Sequence, residues 1–176
     1  MELSGEAPLT ARLIAGDPCA FAALYDQFGP RLHRTAFAML GSREDAEDTV
    51  HEVFLSVWKS RNRLDASQDM TAYLFTALRH AAGRNAIRRA RGPRLSEMAV
   101  HEAPARPEAN PSNDGDRLDE ALSKLPPEQR EVIAMKIDGA LTFAEIARVL
   151  DISVNTAASR YRYALEKLRL SLKGRR

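Results

Sequence analysis

Residues 142–168, TFAEIARVLDISVNTAASRYRYALEKL, read as a short helix, a sharp turn and a longer helix. Thr142 and Glu145 have capping-box spacing and Leu141 is placed to staple onto Ile146, so the first helix has a marked start. Asp151 and Ile152 make the turn, and Ser153 caps the second helix. On that helix Ala157, Tyr161, Ala164, Leu168 and Leu172 recur at steps of three and four, which makes one apolar stripe to bury. The other face offers Asn155, Thr156, Ser159, Arg160, Arg162 and Tyr163. These types hydrogen-bond base edges and phosphates, and they lie near the helix end that enters a major groove. The pattern is that of a DNA-reading helix-turn-helix. Two-helix hairpins that merely pack together are common, so the rest of the chain must discriminate.

Upstream of this unit, 117–124 and 127–138 read as helices separated by Leu125-Pro126-Pro127, with Pro127 suited to a helix start and Gly139 to a stop. Residues 92–116, GPRLSEMAVHEAPARPEANPSNDGD, hold four of the nine prolines and almost no apolar periodicity, as a linker does. Its length reaches about 80 Å extended and averages about 25 to 30 Å as a flexible coil. Before it, four helices are expected, at about 8–15, 18–40, from Ser42 as cap to about 60, and 70–90. The second carries Phe21, Leu24, Tyr25, Phe28, Leu32, Phe37 and Leu40 across a bend expected at Gly29-Pro30. The third turns Ala46, Val50, Val53, Phe54, Val57 and Trp58 inward and Asp45, Asp48, Glu52 and Lys59 outward. The fold class is therefore all-α: two small helical domains, 1–91 and 117–176, joined by a flexible acidic proline-rich linker. Each has its own apolar stripe, so each is expected to close a core of its own, with few contacts crossing the join.

The net charge of +2 hides an uneven distribution. Residues 1–94 hold 13 Lys and Arg against 11 Asp and Glu, residues 95–120 hold 2 against 7, and residues 121–176 hold 11 against 6. Arg84, Arg88, Arg89, Arg91 and Arg94 follow one another without an intervening acid, whereas Glu44, Asp45, Glu47, Asp48 and Glu52 cluster earlier. Basic runs in two domains, tethered by an acidic segment, fit nucleic acid, and the separate acidic cluster fits a second, basic partner. The start, MELSGEAPLTARL, lacks the flanks of a signal peptide and no later stretch matches a membrane span, so a cytoplasmic protein without membrane contact is expected. The single Cys19 sits beside Ala20 and Phe21 as a small core residue would, and no redox role is expected of it.

With both halves in view, the chain resembles a bacterial RNA polymerase sigma factor of the extracytoplasmic-function (ECF) type from about 17 to 172. The likeness rests on FAALYDQFGPRLHRTAFAMLGSREDAEDTVHEVFLSVW at 21–58, the AYLFTALRHAAGRNAIRRAR helix, and LSKLPPEQREVIAMKIDGALTFAEIARVLDISVNTAASRYRYALEKLR at 122–169. It implies that Asp45, Asp48, His51, Glu52 and Lys59 dock on the clamp helices of the largest subunit of core RNA polymerase. It further implies that the loop and helix from Arg61 to Arg91 grip a melted upstream (-10) promoter element. Candidates there are Arg61, Asn62, Arg63, Asp65, Tyr73, Arg79, His80, Arg84 and Arg88; for Tyr73, core packing is an equal alternative. The helix-turn-helix would read the distal (-35) element, Lys136 and Arg148 would touch phosphate, and apolar surface on the preceding helices would meet the flap of the second-largest subunit. Many relatives are held by an anti-sigma factor, which is a partner to look for; the free chain is expected to be a monomer. His51 and His80 stand where glutamine and asparagine are common, Thr71 and Thr76 replace basic residues, Asp151 replaces the turn glycine and Ala158 a lysine. The lost cations should weaken promoter affinity or go with an unusual promoter sequence, whereas Asp151 tolerates a left-handed backbone.

Two other classes fit less well. A stand-alone DNA-binding regulator would need the same recognition helix but also a dimerisation surface, and no heptad remains to supply one. Enzyme chemistry lacks a constellation. His51-Glu52 begins like HExxH, but Leu55 occupies the second histidine position, and His33, His51, His80 and His101 are scattered. No nucleotide-binding glycine loop occurs, so neither metal nor cofactor is expected.

Overall fold

The computed structural model describes residues 8–67, 69–91 and 114–173. Among them every regular element is helical: α1 (Leu9–Ile14), α2 (Pro18–Leu40), α3 (Arg43–Ser60), a 3-10 turn (Arg61–Arg63), α4 (Met70–Arg91), α5 (Asp114–Ser123), α6 (Pro127–Ile137), α7 (Phe143–Leu150) and α8 (Val154–Lys173). Most of the linker expected at 92–116, and with it Arg94 and His101, lies outside the described residues. Residues 114–116 do not belong to a linker, because α5 already begins at Asp114.

Local chemistry sets most boundaries. Asp17 accepts the Cys19 N–H at 2.9 Å to open α2, and Pro18 occupies the first turn where its missing N–H costs nothing. Gly41 closes α2 at φ 69°, a left-handed position that glycine takes at no steric cost, and its N–H reaches Phe37 O at 2.8 Å. Ser42 Oγ then accepts the Asp45 N–H at 3.3 Å and starts α3. The bend expected at Gly29-Pro30 does not break α2, which runs through Pro30 as one helix. Burial of Ala20, Leu24, Phe28, Leu32 and Ala36 along its inner side outweighs the bond the proline removes, since each large apolar side chain is worth about 1.5 to 3 kcal/mol. Cys19 is exposed on the first turn of α2, contrary to the core position expected, because its neighbour Ala20 takes the inward direction.

The expectation of two separate cores is overturned. Leu24, Phe28, Leu32, Val50, Val53, Leu74, Phe75 and Leu78 of the first half share one continuous buried cluster with Val132, Met135, Leu141, Ile146, Val149, Leu150 and Ala157 of the second. A smaller cluster, Ala121, Leu125, Ile133, Ala164 and Leu168, closes the far end between α5, α6 and α8. Helix α6 packs on α2, and α7 on α4. Both apolar stripes were read correctly, but an apolar stripe specifies only that it must be buried, and here each half supplies part of the other's cover.

Candidate nucleic-acid interface

The second half carries a fully formed reading unit. Thr142 N–H and Oγ1–H both donate to Glu145 Oε2, at 2.6 and 2.7 Å, and the Glu145 N–H donates back to Thr142 Oγ1 at 3.2 Å. The Thr142 N–H foremost, and then its hydroxyl, hold the Glu145 carboxyl below the usual glutamate range. Asp151 makes the turn at φ 53°, ψ 51°, the left-handed conformation expected of it. Ser153 Oγ accepts the Thr156 N–H at 3.0 Å and starts α8. Ala157, Ala164 and Leu168 are buried and Tyr161 and Leu172 half-buried, so the stripe faces inward. Asn155, Thr156, Arg162 and Tyr163 are exposed and Ser159 and Arg160 half-exposed along the other side. Within this set the Thr156 hydroxyl is bonded to Ser153 at 2.8 Å, and the Arg162 guanidinium lies 5.4 Å from the Tyr163 ring centre.

The first-half set divides. Asn62, Arg63 and Asp65 are exposed in the segment after α3, while His80, Arg84 and Arg88 stand at intervals of four on the outer face of α4. Asp65 accepts the Ser67 N–H and hydroxyl, each at 2.9 Å, with the N–H the main reason its carboxyl lies below the usual range. Arg61 is spent on structure. Its guanidinium stacks 4.3 Å from the Trp58 ring centre and donates to Trp58 O at 2.8 Å. Tyr73 is half-buried against the main core, with its hydroxyl 3.0 Å from Ser60 Oγ, which matches the packing alternative. Arg79 is half-buried and faces Glu131 of α6 at 3.6 Å.

On α3, Asp48, His51 and Lys59 are exposed and Asp45 and Glu52 half-exposed along the side away from the core. Glu52 accepts from Arg84 at 2.6 Å, so the acidic edge of α3 and the basic edge of α4 adjoin. Below it a shallow groove of about 470 Å3 is lined by Glu52, Leu55, Ser56, Lys59, Ser60 and Arg63. Tyr25 and Phe37 of α2 and Leu55 of α3 are exposed apolar side chains.

Three residues outside the expected set shape the site. Asp69 caps α4 by accepting the Ala72 N–H at 3.1 Å and also pairs with Arg148 of α7. Arg31 of α2 donates from Nε to the Gly139 carbonyl at 2.8 Å, and Glu131 faces Arg79. The cap was legible, since Asp69 precedes an apolar helix start; the partners across the join were not. Lys136, expected on phosphate, donates to Leu141 O at 2.9 Å. Burial pushes the Asp138 carboxyl up, partly opposed by Arg34 of α2. Among the described residues no group of three metal-ligating side chains converges, and no helix is long and apolar enough to cross a membrane.

Comparison with known proteins covers both halves. The Sigma-70 region 2 family matches residues 24–92, and the Sigma-70, region 4 family matches residues 115–168. The ECF RNA polymerase sigma factor SigL of Mycobacterium tuberculosis is 31% identical over 167 residues, spanning 90% of this chain and 92% of the relative. The ECF RNA polymerase sigma factor SigK of Mycobacterium bovis is 28% identical over 175 residues, spanning 95% and 94%. Among solved structures, CnrH in complex with the cytosolic domain of CnrY superposes with a TM-score of 0.72 at 24% identity, over 96% of this chain and 97% of that one. The sigma factor RpoE of Bartonella quintana, in complex with the anti-sigma factor NepR, gives 0.68 at 24% identity over 89% and 98%. At that identity the two structures establish the fold.

Proposed function

This chain belongs to the ECF RNA polymerase sigma factors, DNA-binding factors that recognise promoters and start transcription, and from that premise we propose which surface does which part of the work. Residues 1–91 dock on core RNA polymerase and grip the melted upstream element, and residues 117–176 read the distal element as duplex. The acidic edge of α3, with Asp45, Asp48, His51, Glu52 and Lys59, meets the basic clamp helices of the largest subunit. Asn62, Arg63, Asp65, His80, Arg84 and Arg88 line the path of the displaced strand, and Asn155, Thr156, Ser159, Arg160, Arg162 and Tyr163 enter the major groove. Apolar surface of the second half meets the flap of the second-largest subunit, and an anti-sigma factor is a partner of the same surfaces. The chain acts without catalytic chemistry of its own, in the cytoplasm.

The observation that carries this reading is the juxtaposition on α3 and α4. One rigid helix pair offers an acidic edge for a basic protein and, adjoining it, a basic edge for a nucleic-acid backbone. Polymerase and melted strand are thereby held side by side, which is what opening DNA at a fixed place on the enzyme requires. Run-off transcription with core polymerase and a selected promoter library tests the whole assignment, and Asp48→Lys tests the docking edge. Asp48 is exposed on α3, so its reversal should lower capture of core polymerase by about tenfold or more while leaving helical content intact. Capture that is unchanged would put the docking surface elsewhere.

A further inference from the structure

Resting on this promoter reading, we infer that Thr49 of α3 and Asn85 of α4 are positioning residues: their hydrogen bond sets the register between the docking edge and the strand-gripping edge, and promoter opening depends on that register. The Asn85 amide donates from Nδ2 to Thr49 Oγ1 at 2.7 Å, and the two residues are 5% and 0% exposed. Each interrupts an apolar inner face. Thr49 lies between Ala46 and Val53, and Asn85 follows Ala81 and Ala82, all four of them buried. Apolar residues would fill both places, so burial alone does not call for a polar pair. Nor does a buried threonine need a partner on another helix. Thr35 of α2 is equally buried and gives its hydroxyl to Arg31 O of its own helix at 2.9 Å.

The bond is well placed to set register because both of its residues stand beside the groups that carry the work. Thr49 is followed on α3 by Glu52 and preceded by Asp48; Asn85 is followed on α4 by Arg88 and preceded by Arg84. Glu52 and Arg84 meet at the surface at 2.6 Å, but both are well exposed, and such a pair holds geometry weakly. The apolar contacts beneath are non-directional and favour burial in any register that achieves it. A hydrogen bond between two buried side chains is more exacting. Sliding or turning either helix parts the pair and leaves a hydroxyl and an amide unmatched in the core. The Thr49–Asn85 bond is therefore both directional and shielded from water, and it fixes the offset at which α3 presents its carboxylates and α4 its guanidinium groups.

The test uses the full chain with core polymerase and a promoter selected by the wild-type factor. Thr49→Val with Asn85→Leu replaces both partners by apolar groups of similar shape. The double variant should therefore melt at or above the wild-type temperature and capture core polymerase as wild type does. Opening of the promoter by the saturated holoenzyme, read as permanganate reactivity of unpaired thymines, should fall by about tenfold or more, because a site whose support is loosened loses its working geometry while remaining present. A purely structural pair would leave opening intact wherever the fold is intact. A second arm does not depend on the folding of the double variant. Thr49→Ser and Thr49→Ala both lack the threonine methyl and differ in the hydroxyl. At equal core occupancy Thr49→Ser should open the promoter as wild type does, whereas Thr49→Ala should show the loss. A stably folded double variant that opens like wild type, a loss of opening no larger than its loss of core capture, or equal opening by the two single variants would each overturn the inference alone. Failure of the wild-type chain and core polymerase to open any promoter would overturn the promoter reading, and this inference with it.

Discussion

The two regions proposed to face DNA are prepared very differently. On α8, among the described residues, Asn155 and Arg160 make no side-chain hydrogen bond or ion pair, and Arg162 touches only the neighbouring Tyr163 ring. In the first half, Arg61 is stacked on Trp58, Tyr73 bonded to Ser60, Arg79 set against Glu131 and Arg84 paired with Glu52. On the proposed reading, Asn155 and Arg160 reach DNA without first giving up a protein partner. Of the first-half residues proposed to line the strand's path, Arg84 would have to exchange Glu52 for a nucleic acid, and only the difference between the two would appear as binding. A duplex reader can be preformed because duplex DNA has a groove of fixed shape, whereas a gripper of separated strand that stayed fully unpaired would bind any polyanion.

Both regions sit on one shared buried cluster, and disrupting it is the largest expected effect. Phe75→Ala removes a fully buried ring at the junction of the halves and should cost about 3 to 5 kcal/mol. If the core is shared, hydrogen exchange should show amides of α3 and α7 losing protection together. Loss confined to α3 would mean that the halves fold independently and that the join is only a contact.

The contrast between ready and engaged groups is sharpened by a pair of alanine variants. Arg160→Ala should cost about 1 to 3 kcal/mol of promoter binding, relaxing preference at one position if it reads a base and weakening all sequences alike if it holds phosphate. Arg84→Ala should cost less than about 1 kcal/mol, because the arginine already has an exposed carboxylate partner to give up. Equal losses at the two sites, measured by competition binding to the holoenzyme's promoter, would erase the distinction.

The smallest effect concerns how firmly the reader is preformed. Thr142→Ala should destabilise the chain by about 1 kcal/mol through loss of the cap at α7. Because the bonds from Thr142 depress the Glu145 pKa, their contribution is present above the ordinary glutamate range and is lost as pH falls through the depressed value. The wild-type advantage over Thr142→Ala in denaturant melts should therefore shrink as pH is lowered below about 4.3. An advantage independent of pH would show that the carboxylate takes no part in the cap.

Much of this was legible in the chain itself. The capping box at Thr142 and Glu145, the Ser42 and Ser153 caps and the left-handed Asp151 depend on residues within a few positions of one another, and all appear in the structure. Residue periodicity likewise assigned the inner and outer sides of α3 and α8. Reading stopped where the partner is remote. Arg79 is a cation on a helix that ends in arginines, and nothing local announces that Glu131 of α6 faces it across the join.

Sequence alone therefore determined the helices, most of their ends, the helix-turn-helix and the membership in a family that starts transcription, because each depends on short-range stereochemistry or on a long run of matching residues. Only the tertiary structure decided that Arg31 reaches Gly139, that Arg148 meets Asp69, and that Phe75 and Leu141 lie in one buried cluster. Those pairs are separated by 66 to 108 positions with a proline-rich segment between them, and an apolar stripe or a lone charge carries no mark of which distant surface will cover it.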